Sequence, residues 1–130
     1  MHKVFVYGSL KRGFGNHMFL EEYGSKFLAT TQTKNSDFAM FSLGVFPAVQ
    51  IVNENGLSIL GELFEVNDET MATLDRLEGH PSLYRRKEVE LDTGDKAWIY
   101  LMQSYGSEPY GFGVDIAEAD GKRCYVWVRR

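Results

Sequence analysis

Cysteine is almost absent from this sequence, and so is any long apolar run. The single cysteine, Cys124, cannot close an internal disulfide, so nothing ties the chain to an oxidising compartment. The apolar runs fall far short of the ~20 residues that a membrane-spanning helix needs. Met1-His2-Lys3 leads straight into Val-Phe-Val-Tyr with no secretory leader ahead of it. These absences predict a cytoplasmic protein with no membrane association. Histidine is scarce too: His2, His17 and His80 stand at no metal-ligand spacing, and neither a metal nor a cofactor is expected. No basic run stands out, and 14 Lys and Arg against 18 Asp and Glu leave a formal charge of −4. A phosphate backbone would be repelled, so nucleic acid is not expected as a partner. Repeats, low-complexity tracts and Pro/Ser-rich linkers are missing as well, and the sequence is silent on oligomeric state.

What is present is apolar and aromatic. Hydrophobic residues make up 44% of the 130, enough for the core of one domain spanning 1–130 and too much for wholesale disorder. Strand-like runs dominate. Residues 3–7 are apolar on both faces, as in a buried central strand. Further runs lie at 27–33, 38–42, 48–52, 59–66, 84–91, 97–102 and 124–128, with 43–47 read as a turn and Gly56, Gly94 and Gly121 marking others. Cys124, between Arg123 and Tyr125, reads as a half-buried strand residue with no catalytic partner. Two helices are predicted. The first, over 16–23, follows a Gly-rich approach. The second, over 68–78, has Asn67 or Asp68 to cap its amides, and Asp68 and Glu69 suit its positive end. Met71, Leu74 and Leu77 recur every three residues and are expected to face the core, while Gly79 and Pro81 stop the helix. Many strands and few helices predict an α+β fold: a mixed, mostly antiparallel sheet curled toward a small barrel, with two or more short helices.

Two segments carry chemistry. In the first, a buried strand ends abruptly in Tyr7-Gly8-Ser9-Leu10-Lys11-Arg12-Gly13. Gly8 permits a tight turn and close approach of a ligand to the backbone. Successive amides in such a turn can form an anion-binding nest suited to a carboxylate, although a Gly-containing turn can equally be only a turn. It is not a phosphate-binding loop of the Gly-x-x-x-x-Gly-Lys type, because Lys11 precedes Gly13. Ser9 lacks the Gly-x-Ser-x-Gly elbow and His/Asp partners of a nucleophile. In the second segment Glu78 stands at a helix end, where the exposed carbonyls disfavour a carboxylate by roughly 0.3–1 kcal/mol. That field, with apolar neighbours such as Leu77 and Leu83, would raise its pKa toward the range of a general acid/base. A solvated surface Glu, or a partner for Arg85 or Arg86, is the alternative. His80 either hydrogen-bonds near Glu78 or lies exposed in a loop, and His17 suits capping or packing.

Taken together the two segments resemble the gamma-glutamyl cyclotransferase-like family, in particular its gamma-glutamylamine cyclotransferase branch. The match begins with the 7–13 loop and Asn16-His17. It continues through Phe46-Pro47-Ala48-Val49, Leu60-Gly61-Glu62-Leu63-Phe64-Glu65-Val66 and Leu74-Asp75-Arg76-Leu77-Glu78-Gly79. Pro81, Tyr84, Arg86 and Ala97-Trp98-Ile99-Tyr100 complete it. Each piece is weak alone; their order and spacing over about residues 3–102 are specific. The resemblance implies that Glu78 is the acid/base, that the backbone of Tyr7, Gly8, Ser9 and Leu10 binds a small γ-glutamyl substrate, and that Tyr84 helps to bind it. The match fades after residue 103, and the Gly- and aromatic-rich stretch 105–113 is read as a rim or lid that shapes selectivity for the leaving group.

The implied reaction needs no cofactor, metal or covalent enzyme intermediate. A γ-glutamyl amide carries its own nucleophile, the α-amine, which attacks the γ-carbonyl, closes a five-membered lactam (5-oxoproline, pyroglutamate) and expels an amine or amino acid. A non-catalytic module that binds an acidic metabolite in the same pocket is the main rival. A carboxylate at Glu78 would gain such a module nothing. A nucleotide-binding reading of the Gly8–Gly13 turn is weakened by the wrong Lys position and the negative charge.

Overall fold

The computed structural model describes residues 1–103 and 110–129. The elements follow in the order β1 (His2–Val6), α1 (Met18–Glu21), β2 (Lys26–Gln32), β3 (Phe38–Ser42), β4 (Pro47–Ile51), β5 (Ser58–Val66), α2 (Asp68–Leu77), β6 (Tyr84–Glu90), β7 (Lys96–Met102), β8 (Val114–Ala119) and β9 (Lys122–Trp127). All eight expected strands are present, with ends within two residues of the expected ones. The sheet runs β6-β7-β1-β5-β9-β8 with β2 also on β5, while β3 and β4 form a separate hairpin. It is mixed: β1 is parallel to β7 and β5 to β9, and the other pairings are antiparallel.

The apolar character of β1 on both faces follows from its place between β5 and β7. Val4 and Val6 join a core with Met71 and Leu74 of α2 and Leu20 of α1. Phe5 and Tyr7 point the other way, into a core with Met40, Phe41 and Val49 of the β3–β4 hairpin. Where β1 crosses β5, Gly61 leaves room for the Phe5 ring: a Cβ there would meet Phe5 Cζ at 2.8 Å and press on the Val6 carbonyl oxygen.

The mixed α+β expectation holds, and several finer points differ. The curl stops short of a closed barrel: β6 and β8 end the sheet, and only an isolated bridge between Thr33 and Leu91 joins the end of β2 to that of β6. The 16–23 helix shrinks to the single turn of α1, because its approach is spent on i to i+3 bonds such as Phe19 N–H to the Asn16 carbonyl at 3.1 Å. Leu77 does not face the core. A spacing of three loses about 60° per step on a helix with 3.6 residues per turn, so Met71 and Leu74 are buried and Leu77 turns out to 40% exposure. One strand, β8, was not anticipated. Its Asp, Glu and two Ala are poor strand formers, yet Asp120 and Gly121 both take positive φ (51° and 77°) in a two-residue turn that folds β8 onto β9. Cys124, expected half-buried, is fully buried in β9. No helix among the described residues is long and apolar enough to cross a membrane.

Candidate active site

Beyond Val6 the chain turns sharply under the β3–β4 hairpin. Gly8 is required there for a reason the sequence did not show: a Cβ would lie 2.8 Å from Cγ and 3.0 Å from Cδ of Pro47, so the proline ring occupies the space a side chain would take. The carbonyls of Gly8, Ser9 and Leu10 are engaged. Gly8 O accepts from Lys11 N–H (3.1 Å), Ser9 O from Asn16 N–H (2.9 Å), and Leu10 O is 2.9 Å from His17 Nδ1. Asn16 Nδ2 also donates to Ser9 Oγ (2.9 Å), and Glu62 Oε1 accepts from Arg12 N–H (2.7 Å). The N–H groups of Gly8, Ser9 and Leu10, by contrast, have no hydrogen-bond partner among the described residues. Backbone donors without acceptors, held by a braced loop, are chemically able to cradle an anion.

The loop lines a cavity of about 200 Å³, and Glu78 lines it too. Asn67 caps α2 by accepting from Thr70 N–H (2.8 Å), and the helix ends at Glu78, whose N–H reaches Leu74 O (2.9 Å). Gly79 then takes φ +66°, a left-handed turn that stops the helix as expected. Glu78 O accepts from Tyr84 N–H (3.2 Å), which ties the helix end to the start of β6. The Glu78 carboxylate itself has neither a hydrogen bond nor an ion pair among the described residues. The ion-pair alternative fails on geometry, because Arg86 Nε bonds Asp75 Oδ1 at 2.9 Å instead. Burial raises the Glu78 pKa from 4.5 to about 7.

Three tyrosines wall the same cavity, and each hydroxyl is already committed. Tyr7 donates to Tyr100 O (2.6 Å), Tyr84 to Pro47 O (2.8 Å), and Tyr100 to Asp75 Oδ1 (2.7 Å). Burial first of all drives these hydroxyls above the usual tyrosine range, and the charge of Glu78 adds to it in all three. They stay protonated near neutrality, so among the described lining residues Glu78 is the titratable group poised to exchange a proton near pH 7.

Tyr7, Gly8, Ser9, Leu10, Glu78 and Tyr84 are thus brought together around one cavity. Tyr84 contributes its ring, since its hydroxyl is spent on the hairpin. His80 lies near Glu78 in sequence but accepts from Arg86 N–H at its Nδ1 (3.3 Å). Of the stretch expected as a rim, residues 105–109 lie outside the described residues. Tyr110 stacks edge-on against Tyr125, and neither it nor Gly111, Phe112 or Gly113 lines the cavity. Sequence reasoning assigned no role to Tyr100, Pro47 or Asp75, although all three stand in the motifs it quoted. It also passed over Leu43 and Phe46, whose signal is large apolar side chains in a turn.

Asp75 holds this wall in place, since its Oδ1 receives both Tyr100 and Arg86 while Arg86 stacks over Trp98 at 4.5 Å. Asp75→Asn is expected to cost about 1–3 kcal/mol in urea unfolding; an unchanged midpoint would show that the pairing contributes nothing.

Known proteins resemble this chain in sequence and in fold. The family model described as gamma-glutamyl cyclotransferase, AIG2-like matches residues 4–122. A Methanocaldococcus jannaschii protein, provisionally named a gamma-glutamylcyclotransferase, is 45% identical over 107 residues, covering 78% of this chain and 84% of its own. The gamma-glutamylaminecyclotransferase of Mus musculus is 28% identical over 143 residues, covering 95% of each. The crystal structure of an AIG2-like protein from Mus musculus superposes with a TM-score of 0.67 at 28% identity, over 84% of this chain and 80% of that one. The matched span takes in the cradle, the helix ending at Glu78 and the sheet between them, and on that ground this chain belongs to the gamma-glutamyl cyclotransferase, AIG2-like family.

Proposed function

We propose that this chain is a cytoplasmic, single-domain cyclotransferase that converts a γ-glutamyl amide into 5-oxoproline and a free amine, with Glu78 as general acid/base. One observation carries the reading: an unpaired carboxylate with a pKa of about 7 shares a cavity with three unpartnered backbone amides. Glu78 takes a proton from the substrate's α-ammonium. The freed amine attacks the γ-carbonyl carbon, and the carbonyl becomes a tetrahedral oxyanion. Glu78 returns its proton to the departing nitrogen as the carbon–nitrogen bond breaks, and the second proton of the attacking nitrogen passes to the released amine, so the lactam is neutral, the carboxylate is regenerated and no water is consumed. The amides of Gly8, Ser9 and Leu10 hold the substrate's α-carboxylate or the oxyanion, in either case by donors fixed before the substrate arrives. The ring faces of Tyr7, Tyr84 and Tyr100 keep the glutamyl chain folded, so the amine is delivered at high effective concentration.

The test is product analysis by mass spectrometry with γ-glutamyl-ε-lysine, γ-glutamyl amino acids and glutathione. Release of 5-oxoproline from at least one is the expected result. Release of glutamate instead, or no turnover of any, would overturn it and favour a binding module.

A further inference from the structure

A second cavity, of about 260 Å³, shares no lining residue with the catalytic one. It lies where the end of β4 meets β6 and β7. Ile51, Leu101 and Met102 give it an apolar surface, and Arg85 and Lys87 give it charge. No aspartate or glutamate is among its described lining residues.

Arg85 and Lys87 stand two apart on β6, so they share one face, with Cα atoms about 6.5 Å apart. Opposite charges across a ladder stabilise a sheet. Here, however, the residues opposite Arg85 and Lys87 on β7 are Leu101 and Ile99. Neither cationic side chain has a hydrogen bond or an ion pair among the described residues. Lys87 also borders a smaller cavity lined by Asp37, Glu88 and Glu90, and it pairs with none of them. Glu90 is held instead by Lys34 at 2.8 Å. In a chain of net charge −4, Lys3, Arg12, Lys34, Arg86 and Lys122 each find a carboxylate. Arg85 and Lys87 thus form a positive site whose counter-charge the described chain does not supply.

We infer that this second cavity binds a small dicarboxylate. One carboxylate would satisfy only one of the two cations. Acid groups at the two ends of about three methylenes span roughly the interval between neighbouring side chains on one strand face. The Arg85 guanidinium takes one acid through two parallel N–H bonds, and the Lys87 ammonium takes the other as a point charge. The methylenes between them then cover Ile51 and Leu101, which a bare phosphate would leave in water. The site is independent of the cyclotransferase reading, because none of its residues belongs to the catalytic cavity.

Titration of ¹⁵N-labelled protein with glutarate at constant ionic strength tests this. Backbone amide shifts read this cavity and the 8–10 cradle separately, which matters because the cradle can also take a carboxylate. Saturable shifts at residues 85–87 and 99–103 are expected. Valerate has the same chain length and one acid fewer, and should bind there about fivefold more weakly. Inorganic phosphate should also bind more weakly than glutarate. Arg85→Gln combined with Lys87→Gln should weaken glutarate at this cavity by on the order of tenfold and leave any shifts at residues 8–10 in place. Both side chains are exposed, so the fold does not depend on them. Shifts confined to residues 8–10, equal affinity for valerate, tighter binding of phosphate, or unchanged affinity in the double variant overturns the inference. None of these outcomes bears on 5-oxoproline release, which tests the cyclotransferase reading by itself.

Discussion

Glu78→Gln is expected to lower 5-oxoproline formation by about 10²–10⁴ and to leave the protein as stable at pH 7 as before, or more so. The two halves have one cause. Burial lifts the Glu78 pKa from 4.5 to about 7, and no partner among the described residues compensates the charged form. Between those values the folded state keeps a proton that the unfolded chain has released. The favourable contribution is therefore fully present below the unfolded pKa and is lost as pH rises through about 7. A shift of this size corresponds to roughly 1–3 kcal/mol once partial exposure is allowed for. Glutamine carries no such penalty and nearly the same shape. Thermal unfolding at pH 5 and pH 8 checks it: the wild-type melting temperature should fall between them relative to the variant. A lower melting temperature for the variant at pH 8 would mark Glu78 as structural, and unchanged turnover would remove it from the reaction. The same titration predicts that kcat/KM of the wild type rises with pH through about 7, since the unprotonated carboxylate takes the first proton.

Replacing the substrate's α-amine by hydrogen is expected to abolish turnover altogether while leaving an inhibitor. In the proposed mechanism the amine is the nucleophile, and its delivery within the same molecule is worth roughly 7–11 kcal/mol against a bimolecular attack. Nothing among the described lining residues replaces it, because the tyrosine hydroxyls are committed and Ser9 Oγ already accepts from Asn16. The proposal rests recognition on other atoms, oxygens held by the amides of Gly8, Ser9 and Leu10, so the deaminated analogue should still compete, less tightly if Glu78 also contacts the ammonium. A hydrolase that used Glu78 to activate water would cleave both compounds. Incubating γ-glutamyl-ε-lysine beside its deaminated counterpart, with mass analysis of products, separates the two: cleavage of the analogue would sink cyclisation.

How far the sequence could reach is best seen at particular residues. The strands were legible because apolar runs and Gly turns are local signals, and so was the stop of α2 at Gly79, whose left-handed backbone suits glycine. Glu78 stood out because a carboxylate at a helix end breaks a local rule. β8 was passed over because its pairing is imposed by the turn and by β9 rather than by its own residues. Leu77 was misplaced because a spacing of three tracks a helix face for only one turn.

By itself, then, the sequence determined the strands, the capped helix, the two chemical segments and their resemblance to the family, all properties of neighbours along the chain. Tertiary structure alone decided the rest. It placed Pro47 over Gly8, 39 positions away along the chain, and turned Arg86 toward Asp75 and away from Glu78. It committed three tyrosine hydroxyls to other partners and brought Leu43 and Phe46 to the same cavity as Leu77 and Leu83. The physical reason is that a carboxylate's pKa and a cavity's polarity depend on what surrounds a group in space, and only the folded sheet, helix and hairpin bring those surroundings together.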